Sequence, residues 1–149
     1  MIRFPKQMIN RVVVVSILTL LSILMPAQAE QKKTLGSWDV HYIVIPTTFL
    51  TPEVARAYDI RRSKVTALVN ISVLDKVTQA AQDVEVTGIA RNLLGTTTPL
   101  TFKKVAEGDA IYYLATVGID DKETLRFTID LEQGKQSQQL KFQQLMYEE

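Results

Sequence analysis

Hydrophobic and polar positions alternate with a period of two along most of this chain from Trp38 onward. Trp38, Val40, Tyr42 and Val44 fall on one face of an extended segment and Asp39, His41, Ile43 and Ile45 on the other, which predicts a strand over 38–45. Residues 64–74 repeat the pattern, with Val65, Ala67, Val69, Ile71 and Val73 set against Thr66, Asn70 and Ser72. A third run sets Val84, Val86, Gly88 and Ala90 against Glu85, Thr87, Ile89 and Arg91. Its small residues leave space for a large neighbour, and Gly88 for a bulge. Four further runs cover about 100–105, 111–117, 125–131 and 138–145, punctuated by Glu107-Gly108-Asp109, 118–122 and Gln133-Gly134-Lys135, which is turn chemistry. In the third of these, Leu125, Phe127, Ile129 and Leu131 oppose Thr124, Arg126, Thr128 and Asp130, as expected where one sheet face is solvated. Seven strands at this spacing predict a mainly β chain, an antiparallel β-sandwich of immunoglobulin-like size. An open barrel is the alternative.

One segment departs from the alternation. Between the first two runs, Thr51 stands where an N-cap hydroxyl would receive orphan amides, Pro52 presets φ at the first helical position, and Glu53 places a negative charge in the first turn. These signals predict a helix of about two turns, with Val54, Ala57 and Tyr58 on the face turned to the sandwich. A helix here can carry the chain from one sheet to the other. Arg61, Arg62 and Lys64 follow, where they complement the helix C-terminus.

The start of the chain reads as an address. Arg3, Lys6 and Arg11 precede an uncharged stretch from Val12 to Met25, and Pro26 leads into Ala27-Gln28-Ala29, the order of a cleavable secretory signal peptide. The apolar stretch has 14 residues, roughly 21 Å of helix against a hydrocarbon core of about 30 Å. Residues 1–29 are therefore expected to be removed, leaving 30–149 as a single periplasmic domain with no membrane span. Removal lowers the formal charge from +1 to −2, because three basic residues and no acid leave. The chain has no cysteine and one histidine, which excludes disulfides, thiol chemistry, Cys-ligated metals and a multi-histidine site within one chain. The charge balance argues against nucleic acid as a partner. No cofactor is implied.

The runs Gly36-Ser37-Trp38-Asp39-Val40-His41-Tyr42, Thr48-Phe49-Leu50-Thr51-Pro52-Glu53-Val54-Ala55, Arg62-Ser63-Lys64 and Leu68-Val69-Asn70-Ile71-Ser72-Val73, with Tyr58, resemble the DUF4426 family of exported proteobacterial proteins. The resemblance covers most of the chain after the signal and implies a periplasmic single-domain protein. It brings no activity, cofactor or catalytic residue.

Candidate chemistry is sparse. His41 lies two residues from Asp39 on one strand face, and Ser72 falls on a strand that can neighbour it, so an imidazole oriented by a carboxylate could serve a hydroxyl. The competing reading is a histidine bonded within a half-buried sheet, and no Gly-x-Ser-x-Gly elbow supports a nucleophile. Asn70 and Ser72 can face a ligand or satisfy the loop that crosses them. Arg56, Arg61, Arg62 and Lys64 around Tyr58 form a small anion or partner patch, or a solvated face. Asp120, Asp121 and Glu123 lack the spacing of a calcium loop. Trp38, Tyr42, Phe49 and Tyr58 read as core aromatics or as a stacking platform, and the Gln-rich final run as a sheet edge able to accept a strand.

The leading reading is a binding module engaging a periplasmic protein or small ligand at its helix-bearing end, through His41, Tyr58, Arg62, Asn70 and Ser72. A hydrolase-type enzyme using Asp39, His41 and Ser72, and an envelope structural protein without a discrete site, are the alternatives. N-terminal sequencing of the protein recovered from the cell envelope should return a chain beginning at Glu30; one beginning at Met1 refutes the signal assignment.

Overall fold

The computed structural model describes residues 31–148; the segment expected to be a signal peptide lies outside them. The described residues form nine antiparallel strands in two sheets. In chain order these are β1 (Gln31–Leu35), β2 (Trp38–Pro46), β3 (Thr66–Asp75), β4 (Glu85–Asn92), β5 (Thr97–Leu100), β6 (Lys103–Glu107), β7 (Ala110–Gly118), β8 (Glu123–Gln133) and β9 (Gln136–Met146). The first sheet has the order β1-β2-β3-β7-β6 and the second β5-β4-β8-β9. The sandwich is as predicted, with two strands more than the alternation showed.

Both extra strands escaped for physical reasons. β1 is polar and almost wholly exposed, so no core face marks it; it exists because the Gly36-Ser37 turn folds it onto β2, Leu35 opposite Trp38 and Gln31 opposite Tyr42. The run predicted over 100–105 is two strands, because the chain leaves the second sheet after Leu100 and joins the first at Lys103. Since β1 precedes Trp38, the helix lies between the second and third strands rather than the first two.

The predicted faces are the faces the core uses, except at Val65, which stands just before β3 and is 48% exposed. Trp38, Val40, Tyr42 and Val44 from β2, Ala67, Val69, Ile71 and Val73 from β3, and Leu125, Phe127, Ile129 and Leu131 from β8 are all buried between the sheets. Phe142 of β9 joins Tyr42 and Phe127 in a ring cluster with centroids 4.4 and 4.8 Å apart, fastening the sheets along one side. Tyr113 fixes the crossover from β3 to β4: its hydroxyl accepts from the Val84 amide at 2.8 Å and donates to the Gln82 carbonyl at 3.3 Å. The Gln-rich β9 is an edge strand, as its pattern implied.

The segment between β2 and β3 stays within one sheet. A short 3-10 turn (Thr47–Phe49) leads to α1 (Pro52–Ala57), and β3 returns to pair with β2. The expected passage to the other sheet does not occur. Thr47, fully buried, closes the neck of this excursion, its hydroxyl donating to the Ser63 carbonyl at 3.0 Å and accepting the Ser63 amide at 2.9 Å. The helix start is as read, with Thr51 accepting from the Val54 amide at 3.3 Å. Its packing face is not: Val54 is 40% exposed and Ala57 exposed, whereas Ala55 is buried. Six residues offer only one position that reaches the sheet. At the helix end, Asp59 adopts φ 57°, the Asp59 amide donates to Arg56 and the Ile60 amide to Ala55, a Schellman turn that folds the chain back over the first sheet.

Gly88 fills the role its size suggested. It lies opposite Ile129, and a β-carbon there would stand 2.7 Å from Ile129 Cδ1 and 2.9 Å from the Thr128 carbonyl. Gly88→Ala should therefore lower stability in urea unfolding by about 1–3 kcal/mol, and adding Ile129→Val should recover part of the loss.

Candidate functional site

A strand with one face in the core presents its other face outward, and on the first sheet that outer face carries most of the sequence-predicted residues. His41 stands directly opposite Ser72 across β2 and β3; Ile43 opposes Asn70, and Asn70 opposes Leu114 on β7. His41 and Ser72 line one shallow concavity of about 380 Å³ with Leu74, Gln79, Ala81, Asp109, Ala110 and Tyr112. Asn70, two residues along β3, lies outside it, and its buried Oδ1 has no hydrogen-bond partner among the described residues.

Tyr58 lies over the same sheet face. From the C-terminus of α1 it reaches β6, where its hydroxyl donates to Glu107, and this carboxylate holds the phenol above its usual range. Between α1 and the sheet, Tyr58 and Ile60 border a small hollow with Leu68, Lys103 and Leu114. Arg62 is elsewhere. Its Nη2 donates to the Thr48 carbonyl at 3.0 Å, bracing the neck of the excursion. The structure thus brings His41 and Ser72 together, sets Asn70 and Tyr58 on the same face, and separates Arg62 from all four.

Asp39 is committed to a different network. It accepts from Thr34 Oγ1 at 2.6 Å, from Gln79 Nε2 at 3.1 Å and from Lys32 Nζ at 3.5 Å, and is only 6% exposed. The Thr34 bond leads in holding its pKa below the usual carboxylate range, followed by Gln79, with Lys32 adding to both. This carboxylate ties β1, β2 and the β3–β4 loop together. Asp75 is also lowered, by the backbone amides of Thr78 and Val77, which cap the same loop.

Among the described residues no three His, Cys, Asp or Glu side chains are placed to hold a metal. Asp121 accepts from the Glu148 amide and Glu123 from the Asp120 amide, so the acidic turn is spent on local bonds. Of the aromatics, Trp38 and Tyr42 are core residues, while Phe49 is 46% exposed.

A feature that the alternation pattern did not mark is the distribution of exposed apolar side chains. Phe49, Val54, Val65, Leu93, Leu94, Leu145 and Tyr147 are all well exposed. Each belongs to the end of the sandwich where Pro46 opposes Ala67, Thr66 opposes Gly118 and Glu123 opposes Met146, the end that carries α1. Val77 alone among the strongly exposed apolar residues sits at the opposite end, in the β3–β4 loop. The sequence signal was available in Asn92-Leu93-Leu94-Gly95, where two leucines occupy the centre of a turn.

Residues 32–149 match the family described as Domain of unknown function (DUF4426). The chain belongs to the DUF4426 family. A crystal structure of a DUF4426 protein from Pseudomonas aeruginosa PAO1 is 38% identical, with a TM-score of 0.72, 83% of this chain and 98% of that one being covered. FetP from uropathogenic Escherichia coli strain F11 is 10% identical with a TM-score of 0.56, over 80% of this chain and 94% of its own. A copper-bound FetP variant gives 10% and 0.57, over 80% and 91%. At that identity FetP shares the fold alone. No curated protein matches this DUF4426 chain.

The lowered carboxylates fix a pH dependence. A folded-state pKa below the unfolded value stabilises the fold above the unfolded pKa, about 3.9 for Asp, and this contribution disappears as pH falls through the folded value. Thermal stability should hold constant from neutrality down to about pH 5 and fall below about pH 4. Asp39→Asn should lower the midpoint at pH 7 and flatten the acid limb in thermal melts followed by circular dichroism.

Proposed function

We propose that this DUF4426 chain is an exported periplasmic binding module that works through the helix-bearing end of its sandwich. The observation that carries the reading is the concentration of exposed apolar side chains at that end, from Phe49 and Val54 beside α1 to Leu93, Leu94 and Tyr147. Exposed apolar side chains gathered at one end of a domain point to an interaction site more often than single ones scattered over it. The neck built by Thr47, Ser63 and Arg62 supports it, since its hydrogen bonds tie the two ends of the excursion that carries α1, although the helix buries little of its own surface. The signal-like segment supports export, and FetP, which shares the fold, was produced in the periplasm.

Two neighbouring readings have less behind them. In the enzyme reading Asp39 would orient His41 toward Ser72, but the Asp39 carboxylate is occupied by Thr34, Gln79 and Lys32. His41 and Ser72 remain opposite one another and can contribute to a ligand contact in their concavity. Copper, which the FetP variant binds, does not fit this chain. It has one histidine and no cysteine, and Met146, 2% exposed, is the one methionine among the described residues. Soft metals call for several thiolate, thioether or imidazole donors together.

A photo-crosslinking residue introduced at Phe49, Val65 or Leu94, and at Val77 as the opposite-end control, tests the reading in living cells. Adducts are expected from the first three positions and not from Val77. Equal labelling at both ends overturns the assignment.

A further inference from the structure

The β4–β5 hairpin is closed by a three-residue loop whose own chemistry is complete. The Gly95 amide donates to the Asn92 carbonyl at 3.1 Å, the Asn92 amide to Thr96 at 3.0 Å, and the Thr96 amide to Asn92 Oδ1 at 2.9 Å, with Gly95 at φ 91°. This is a type I turn followed by a left-handed residue, and it specifies Asn92 and Gly95. It asks nothing of the two central positions, which are commonly polar. Leu93 and Leu94 occupy them, 62% and 93% exposed.

Behind the leucines, the outer face of the second sheet carries a like-charged basic pair, as its far end carries the acidic pair Glu85 and Glu132. Arg91 on β4 lies directly opposite Arg126 on β8, and among the described residues neither makes an ion pair. Like charges placed directly opposite destabilise a sheet, a cost that an anion between two guanidinium forks removes. Along the same face, Lys141 lies opposite Thr128, whereas Asp130 opposes Thr87 and Glu132 opposes Glu85 toward the far end. The face is basic at the hairpin tip and acidic away from it, a distribution that turns the tip toward a negative surface. At about 3.3 Å per residue, Arg91 sits roughly 7 Å behind Leu93, comparable with the roughly 5–10 Å to which interfacial apolar groups enter a bilayer.

We propose that the β4–β5 tip docks on an anionic phospholipid surface, Leu93 and Leu94 entering the headgroup–acyl boundary while Arg91 and Arg126 meet lipid phosphates. It rests on the reading of this end as the binding end and names what that end meets. A wedge of two leucines on a narrow turn, with arginines set back at headgroup depth, matches a lipid interface better than the flatter patch a protein partner would need. Asp120 and Glu123 of the acidic turn border the opening between the sheets, so the contact tilts onto the outer face of the second sheet.

Flotation of the purified protein with vesicles of phosphatidylethanolamine and phosphatidylglycerol, against phosphatidylcholine alone, tests it. The protein should float with the anionic vesicles and be released by salt. Leu93→Ser with Leu94→Ser should weaken this about tenfold or more, Arg91→Gln with Arg126→Gln should abolish the preference for phosphatidylglycerol, and Val77→Ser should change nothing. Circular dichroism melts confirm that each variant is folded. Absence of flotation, equal flotation on phosphatidylcholine, or leucine variants that float normally overturns the proposal. So does displacement by millimolar inorganic phosphate, which identifies a soluble anion as the ligand. If crosslinks from Leu94 go to protein while flotation is absent, the lipid surface is refuted and the end itself remains a binding end.

Discussion

The strands at the centre of this sandwich, β2, β3, β7 and β8, each give one face to a single apolar layer, and the chain has no cysteine with which to hold its sheets together by other means. At about 120 residues such a layer removes roughly two-thirds of the unfolded surface from water, sufficient for one core. The consequence is strict: a side chain on the core face of β2, β3 or β8 is committed to packing. Chemistry is left to the outer faces and to the two ends. His41, Asn70 and Ser72 are outward for the same reason that Val40, Ile71 and Val73 are inward.

The polar groups near the core serve to join elements. Tyr113 pins the crossover into β4, Thr47 closes the neck below α1, and Asp39 gathers β1, β2 and the β3–β4 loop. Each is buried, and each has partners that satisfy it, so each contributes specificity of connection where an unpaired group would cost stability. This division explains why Asp39 is a poor orienting group for His41. Its lone pairs are spent in holding the sheet edge, and the acid sensitivity of that edge follows from the same bonds.

How much was legible in the sequence follows from how each element is stabilised. The period-two pattern identified β2, β3, β4, β7, β8 and β9 because all are sorted by a core, and Thr51 and Pro52 marked α1 because capping is local. β1 carried no such mark, being held by a turn, by backbone pairing and by the bonds of Thr34 and Lys32 to Asp39. The break between β5 and β6 was invisible because the alternation continues through Thr101 and Phe102 while the chain changes sheet. Of the site, the outward set on β2 and β3 was readable from alternation. The place of Arg62 was not legible, because a basic residue after a helix looks the same in sequence whether or not it braces, as here, a carbonyl of its own loop.

The leucine tip was missed for a different reason. Alternation sorts the residues of a strand but says nothing of the centre of a turn, and Leu93 and Leu94 fall between the third run and the fourth. Yet residues that folding does not require are the ones from which function can be argued. Ile129 is explained by Gly88, and Thr51 by the amides it caps; Leu94 is explained by nothing within the described fold. The Arg91–Arg126 pair has the same character, because a cross-strand repulsion is a local cost without a local return. The two leucines at the tip of the β4–β5 hairpin and the arginines set behind them on β4 and β8 have one physical resolution in common: a surface that is anionic outside and apolar within.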